Sequence, residues 1–179
     1  NIDTDQIIPK QHLKRIERTG FAKYLFSDWR YHSDGHDRED FVLNHEHFRD
    51  ATILVTGKNF GCGSSREHAA WALGEFGFRV ILAPSFADIF RNNAGNNGIL
   101  VIELPEATIQ RIADHADRHR PYHLSVDLEN QTIADDFGLS EKFEVEPFRR
   151  HRLLNGLDQI GMTLLHECDI TSYETHHRS

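Results

Sequence analysis

Apolar runs divide the chain into an alternating front half and a less regular back half. Residues 52–56, Val80–Ala83 and residues 100–104 are short, rich in β-branched and aliphatic side chains, and bounded by glycine, proline or polar residues, which is the pattern of buried strands. Residues 65–75 and 86–92 lie between them with helical spacing, and residues 105–120 extend the series. Strands alternating with helices read as parallel βαβ units. Further on, residues 122–126, 131–133 and 143–145 carry short strand signals separated by polar turns, which predicts an antiparallel addition. Residues 147–173 read as mostly helical, punctuated by Gly156 and Gly161. The polar stretch 31–40 reads as an exposed loop. The predicted class is α/β, a mixed sheet with a parallel βαβ core and flanking helices.

Composition narrows this picture. The chain has 179 residues, of which 39% are hydrophobic, enough for one domain with a sizeable core. A formal charge of −8 argues against a general nucleic-acid surface, which needs clustered Lys and Arg. No apolar run approaches the roughly 20 residues that span a bilayer, and no charged-then-apolar leader is recognisable, so a soluble, cytoplasmic protein is expected. The chain starts at Asn1 and its only methionine is Met162, so a short preceding segment is expected.

The richest local chemistry lies in Gly57-Lys58-Asn59-Phe60-Gly61-Cys62-Gly63-Ser64-Ser65-Arg66-Glu67-His68. This glycine-rich stretch runs from a predicted strand into a predicted helix. Glycine there permits positive φ and close approach of a ligand to backbone N–H groups. A helix start adds unpaired N–H donors and the positive end of the dipole, which together favour a carboxylate or phosphate. A plainer alternative stands beside this: Ser64 followed three residues later by Glu67 is also a capping box. A P-loop does not fit, because Gly63 is followed by Ser64-Ser65 and not by Lys with Ser or Thr. The dinucleotide fingerprint fails as well, since Arg66 stands where its third glycine belongs. Hydroxyls and a guanidinium remain, suited to bidentate contact with a carboxylate.

Residues 59–69, Asn-Phe-Gly-Cys-Gly-Ser-Ser-Arg-Glu-His-Ala, resemble the signature of the swivelling domain of the aconitase superfamily. The opening Asn1-Ile2-Asp3-Thr4-Asp5-Gln6-Ile7-Ile8-Pro9 is similar to that of the small subunits of 3-isopropylmalate dehydratase, the isomerase of leucine biosynthesis. Arg18-Thr19-Gly20-Phe21, Ser85-Phe86-Ala87-Asp88-Ile89-Phe90 and Gly156-Leu157-Asp158-Gln159-Ile160-Gly161 resemble further blocks of that family, in family order over nearly the whole chain. The resemblance implies that residues 1–179 form one swivelling β/β/α domain, and that a short lost segment would supply an early strand. It implies a hydro-lyase that interconverts 2-isopropylmalate and 3-isopropylmalate by removing and re-adding water. Ser64 would be the base in ionised form, a charge that loop N–H groups and nearby cations are suited to stabilise. Ser65 and Arg66 would bind a substrate carboxylate.

The resemblance places Asp5 as an active-site carboxylate beside the serine; read as pattern alone, Asp3-Thr4-Asp5 ahead of Pro9 is a turn or helix cap. A second substrate arginine is assigned to Arg18, with Arg15 and Arg30 as rivals. An apolar wall for the isopropyl group would come from Leu13, with Ile16 and Phe21. Two cysteines, Cys62 and Cys168, cannot ligate a four-iron cluster, and Cys62 reads as a small residue in a tight turn rather than a nucleophile. The 13 histidines, including His32, His36, His45 and His47 or His115, His119 and His123, match no zinc spacing. His115 and His119 read as part of a solvated helix face, and no metal site is expected on this chain. The resemblance instead implies a large-subunit partner in a heterodimer, carrying a four-iron, four-sulfur cluster that acts as a Lewis acid, with the active site at the interface. Two other readings stay open: a related hydro-lyase subunit acting on 2-methylmalate or homoaconitate, and a stand-alone anion-binding module in which Ser64 and Glu67 only cap a helix.

Overall fold

The computed structural model describes residues 1–13 and 19–156. In chain order the elements are α1 (Thr4–Ile7), α2 (Ser27–Arg30), β1 (Ile53–Val55), α3 (Glu67–Phe76), β2 (Val80–Ala83), α4 (Asp88–Asn96), β3 (Leu100–Glu103), α5 (Glu106–Arg118), β4 (Ser125–Asp127), β5 (Thr132–Ala134), β6 (Ser140–Lys142) and α6 (Pro147–Leu154). Short 3₁₀ turns at Lys10–His12, Ala22–Tyr24, Val42–Asn44 and Glu46–Phe48 carry the chain across the first fifty residues.

β1, β2 and β3 form a parallel sheet in that order, with Ile53 opposite Val80 and Val80 opposite Leu100. The aliphatic runs had to be buried on both faces, because successive residues of a strand point to opposite sides. Leu54, Ile81, Ala83 and Val101 face one core, shared with the N-terminal segment, α3 and α4. Ile53, Val55, Val80, Leu82, Leu100 and Ile102 face the other, shared with α5 and the antiparallel sheet. Phe21, Phe60, Phe78 and Phe90 are fully buried in the first core, and burying each such ring contributes about 1.5–3 kcal/mol.

The expected antiparallel addition is β4-β5-β6, but its last strand is Ser140–Lys142 and not 143–145. Gly138 (φ +89°) makes the turn and Leu139 plugs the core, so pairing starts at once in residues too polar to signal a strand. Helix α4 runs past the expected 92 to Asn96 because Ala94 and Gly95 are buried there, overriding the poor helix propensity of its asparagines. α6 ends at Leu154, Asn155 and Gly156 form a turn where the helix was expected to continue, and residues 157–173 of that region lie outside the described residues. The stretch 31–40 is largely exposed, as expected.

Candidate active site

The glycine-rich loop after β1 is held against the N-terminal segment. Gly61 N donates to Ile2 O and Thr4 N to Cys62 O, both at 2.8 Å, and Thr4 Oγ1 donates to Ser64 O at 3.0 Å. Asp3 and Cys62 form an isolated parallel bridge, as do Phe60 and Phe86. Asn59, Gly61 and Gly63 all have positive φ, at 54°, 75° and 93°. At Gly61 a Cβ would overlap the Phe90 side chain, so this glycine lets the loop lie directly on the core.

This stitching brings Asp5 and Arg66, 61 positions apart, into contact. Asp3, and not Asp5, caps α1: its Oδ1 accepts from Gln6 N at 2.8 Å while Asp3 N donates to Gln6 Oε1 at 2.9 Å, a complete capping box. Asp5 is left free, and its carboxylate accepts from Arg66 Nη1 on one oxygen and lies 3.1 Å from Lys10 Nζ on the other. The Arg66 side chain is 14% exposed, while that of Lys10 is 71% exposed. Ser64 and Ser65 are exposed beside this pair in sequence. The plainer reading of Ser64 fails, because α3 starts at Glu67 with Arg66 as its N-cap residue and no side-chain cap. Glu67 instead accepts from Asn97 Nδ2 at 3.3 Å. The first-turn N–H groups of α3 therefore lack a side-chain cap on the side where the serines stand.

His68, one turn into α3, packs edge-on against Phe21 with centroids 5.3 Å apart and lies 4.6 Å from the Trp71 ring. Burial lowers its pKa below the ordinary value; Glu67 opposes this and Arg66 adds to it. It stays neutral near pH 7 and adds no charge to the site.

Among the other expected site residues, Leu13 is half-buried and packs on the first core. Phe21 is fully buried and so serves as core under α3, not as a pocket wall. Arg30 donates to Asn44 Oδ1 at 3.1 Å and to Ala22 O at 3.5 Å and lies over the Phe76 ring, contacts within the fold. Arg18, Arg15 and Ile16 lie outside the described residues, as does Cys168. Cys62 is a free, half-buried thiol whose carbonyl ties the loop to Thr4.

His115 departs from the expected solvated face. Its Nδ1 lies 3.0 Å from Oδ2 of Asp135, whose side chain is fully buried, and Tyr122 Oη donates to the same oxygen at 2.7 Å. Desolvation pushes the Asp135 pKa up, but hydrogen bonds from Tyr122, Leu139 N, His115 and Phe137 N outweigh it and hold the carboxyl at about 2. Sequence periodicity could not show this, since Asp135 arrives from a hairpin. Among the described residues no group of three or more His, Cys, Asp or Glu is placed to hold a metal ion.

A model of the aconitase C-terminal domain matches residues 1–107, and one of LeuD_N matches residues 110–147. Relatives described as 3-isopropylmalate dehydratase small subunit match nearly end to end. Those from Rhodopirellula baltica and Koribacter versatilis are each 56% identical, covering 97% and 99% of this chain and 89% and 91% of theirs. The one from Geobacillus kaustophilus is 54% identical over 99% of this chain and 89% of its own. The chain belongs to the 3-isopropylmalate dehydratase small-subunit family. A solved structure of 3-isopropylmalate dehydratase from Methanocaldococcus jannaschii superposes with a TM-score of 0.69 at 24% identity, covering 97% of this chain and 92% of that one, so the fold is that of the family as well. Lys10 is a neighbour of Asp5 that sequence reading did not single out. Lys10 opens the 3₁₀ turn after an extended Pro9 and meets Asp5 five residues back, a spacing no periodic pattern marks.

Proposed function

We infer that this chain is the small subunit of a 3-isopropylmalate dehydratase, interconverting 2-isopropylmalate and 3-isopropylmalate, and active only when joined to a large subunit. The observation that carries the reading is the pairing of Asp5 with Arg66 beside two exposed serines, in a family whose named members are subunits of this enzyme. Residues 1–179 act as one aconitase-like domain.

In this mechanism the ionised Ser64 Oγ takes the proton from the substrate carbon, the C–H bonding pair becomes the new double bond as the adjacent C–O bond breaks and the hydroxyl leaves on the large-subunit side, and water re-adds in the other sense. Arg66 is paired with Asp5, and its remaining N–H groups bind a substrate carboxylate, a bidentate match that lysine would not give. Ser65 and the uncapped N–H groups of α3 add donors for the same anion. Asp5 tunes the charge beside Ser64, with Lys10 offsetting it. Arg18 binds the second carboxylate and Leu13 lines the side-chain wall.

A four-iron, four-sulfur cluster does not fit this chain, whose two cysteines are too few to ligate it. The large subunit is its natural bearer, and the groups that receive the departing hydroxyl belong there too. Exposure of Ser64 and Ser65 supports a site closed by a partner, since half-formed contacts stabilise a transition state poorly.

The test is anaerobic turnover of 3-isopropylmalate by this chain mixed with a cluster-loaded large subunit, against each alone and against Ser64→Ala. Activity only in the mixture, abolished in the variant, is the expected result. An inactive but assembled complex would move the assignment to 2-methylmalate or homoaconitate, and full activity in Ser64→Ala would remove the serine as base.

A further inference from the structure

We propose that Glu75, at the far end of α3 from the serines, is a positioning residue that sets α1 against α3 and thereby holds the Asp5–Arg66 pair in register. Its carboxylate accepts three consecutive backbone N–H groups: Gly20 N at 3.1 Å on Oε1, and Phe21 N at 2.6 Å and Ala22 N at 3.1 Å on Oε2. A carboxylate in the last turn of a helix meets the negative end of the dipole and is unfavourable there. The three N–H groups open the 3₁₀ turn Ala22–Tyr24, and supply the opposing positive end. Glu75 is therefore matched to its partners and not to its own helix.

The clamped segment is a wedge. Phe21 is buried with its ring against His68 and Trp71 of α3. Five residues later, Phe26 N donates to Ile7 O at 2.8 Å, the last residue of α1. The stretch 20–26 thus touches α3 at one end and α1 at the other. Asp5 sits on α1, and Arg66 immediately precedes α3. Moving the wedge moves one member of the pair relative to the other, and a misplacement of about 1 Å is enough to weaken a site of this kind.

The inference rests on the reading of Asp5 and Arg66 as site residues, and the experiment separates the two. The full chain, with Glu75→Ala and Glu75→Gln, is combined with the large subunit after confirming folding and assembly. Glu75→Ala should raise the KM for 3-isopropylmalate about tenfold while kcat changes less than about threefold. Glu75→Gln should fall between, because its one carbonyl oxygen can still serve two of the three donors. In the free chain, amide exchange at residues 3–7 as well as 20–22 should quicken about tenfold in Glu75→Ala. Wild-type KM in Glu75→Ala, or faster exchange confined to residues 20–22, would overturn the proposal. A wild-type complex that fails to turn over would count against the dehydratase reading, and the exchange at residues 3–7 would still decide the role of Glu75.

Discussion

Three glycines of one loop allow backbone strain to be separated from steric overlap by a single kind of substitution. Gly57 has ordinary φ and no heavy atom within 4 Å of where a Cβ would stand. Gly63 has φ +93°, with its nearest neighbour, Asp3 Cβ, at 3.4 Å, so a methyl group fits but the backbone is wrong for an L-residue. Gly61 has φ +75° and no room, because a Cβ would overlap Phe90 on α4, itself packed edge-on to Phe60 at 5.1 Å. Left-handed backbone costs an L-residue about 1–2 kcal/mol, and forcing a methyl group into a filled core costs about 1–3 kcal/mol more. Gly57→Ala should therefore stay within about 0.5 kcal/mol of the parent. Gly63→Ala should lose about 1–2 kcal/mol, and Gly61→Ala about 2–5 kcal/mol. For a chain of this length each kcal/mol corresponds to about 2–4 °C in Tm. Urea unfolding of the free chain gives the three values directly, provided the slope with denaturant is unchanged. Equal losses at all three sites, or a larger loss at Gly63 than at Gly61, would refute the assignment of the Gly61 requirement to Phe90.

Asp5→Asn keeps the shape but removes the charge that holds Arg66 and Lys10, so kcat/KM of the assembled enzyme should fall on the order of 100-fold; a fall below about threefold would exclude Asp5 from the site. Arg30→Ala should destabilise the chain by about 1–3 kcal/mol through its lost hydrogen bonds while leaving the substrate KM within about twofold, and a large rise in KM would restore Arg30 as a substrate ligand. Asp135 has a folded pKa of about 2, below its ordinary 3.8, so its contribution to stability is fully present above pH 4 and disappears as pH falls toward 2. Acid unfolding of Asp135→Asn, followed by circular dichroism, should lack that part of the pH dependence, and an unchanged profile would count against the buried network around Tyr122 and His115.

Local pattern was enough for much of the fold. The strand at Val80–Ala83 begins and ends where its aliphatic run does, and β1, β3 and α5 fall within a residue or two of their expected limits. These segments are buried by the sheet whatever lies beyond them, so their composition is a direct record of their environment. β6 was misplaced because its residues are polar and its position follows from the turn at Gly138 and the plug at Leu139. The candidate capping box at Ser64 was a real pattern in the wrong place: the loop's bonds to Thr4 leave Ser64 two residues short of the helix, and the working capping box belongs to Asp3 and Gln6.

The sequence by itself determined the α/β alternation, the place of the glycine loop between strand and helix and, through its motifs, the family. Only the tertiary structure decided which groups meet: Asp5 with Arg66 and Lys10, Glu75 with three backbone N–H groups, His115 with Asp135. Periodicity records whether a residue faces core or solvent, because burial acts on each residue separately. Pairing between charges far apart in the chain depends on how elements dock, and no single segment carries that information.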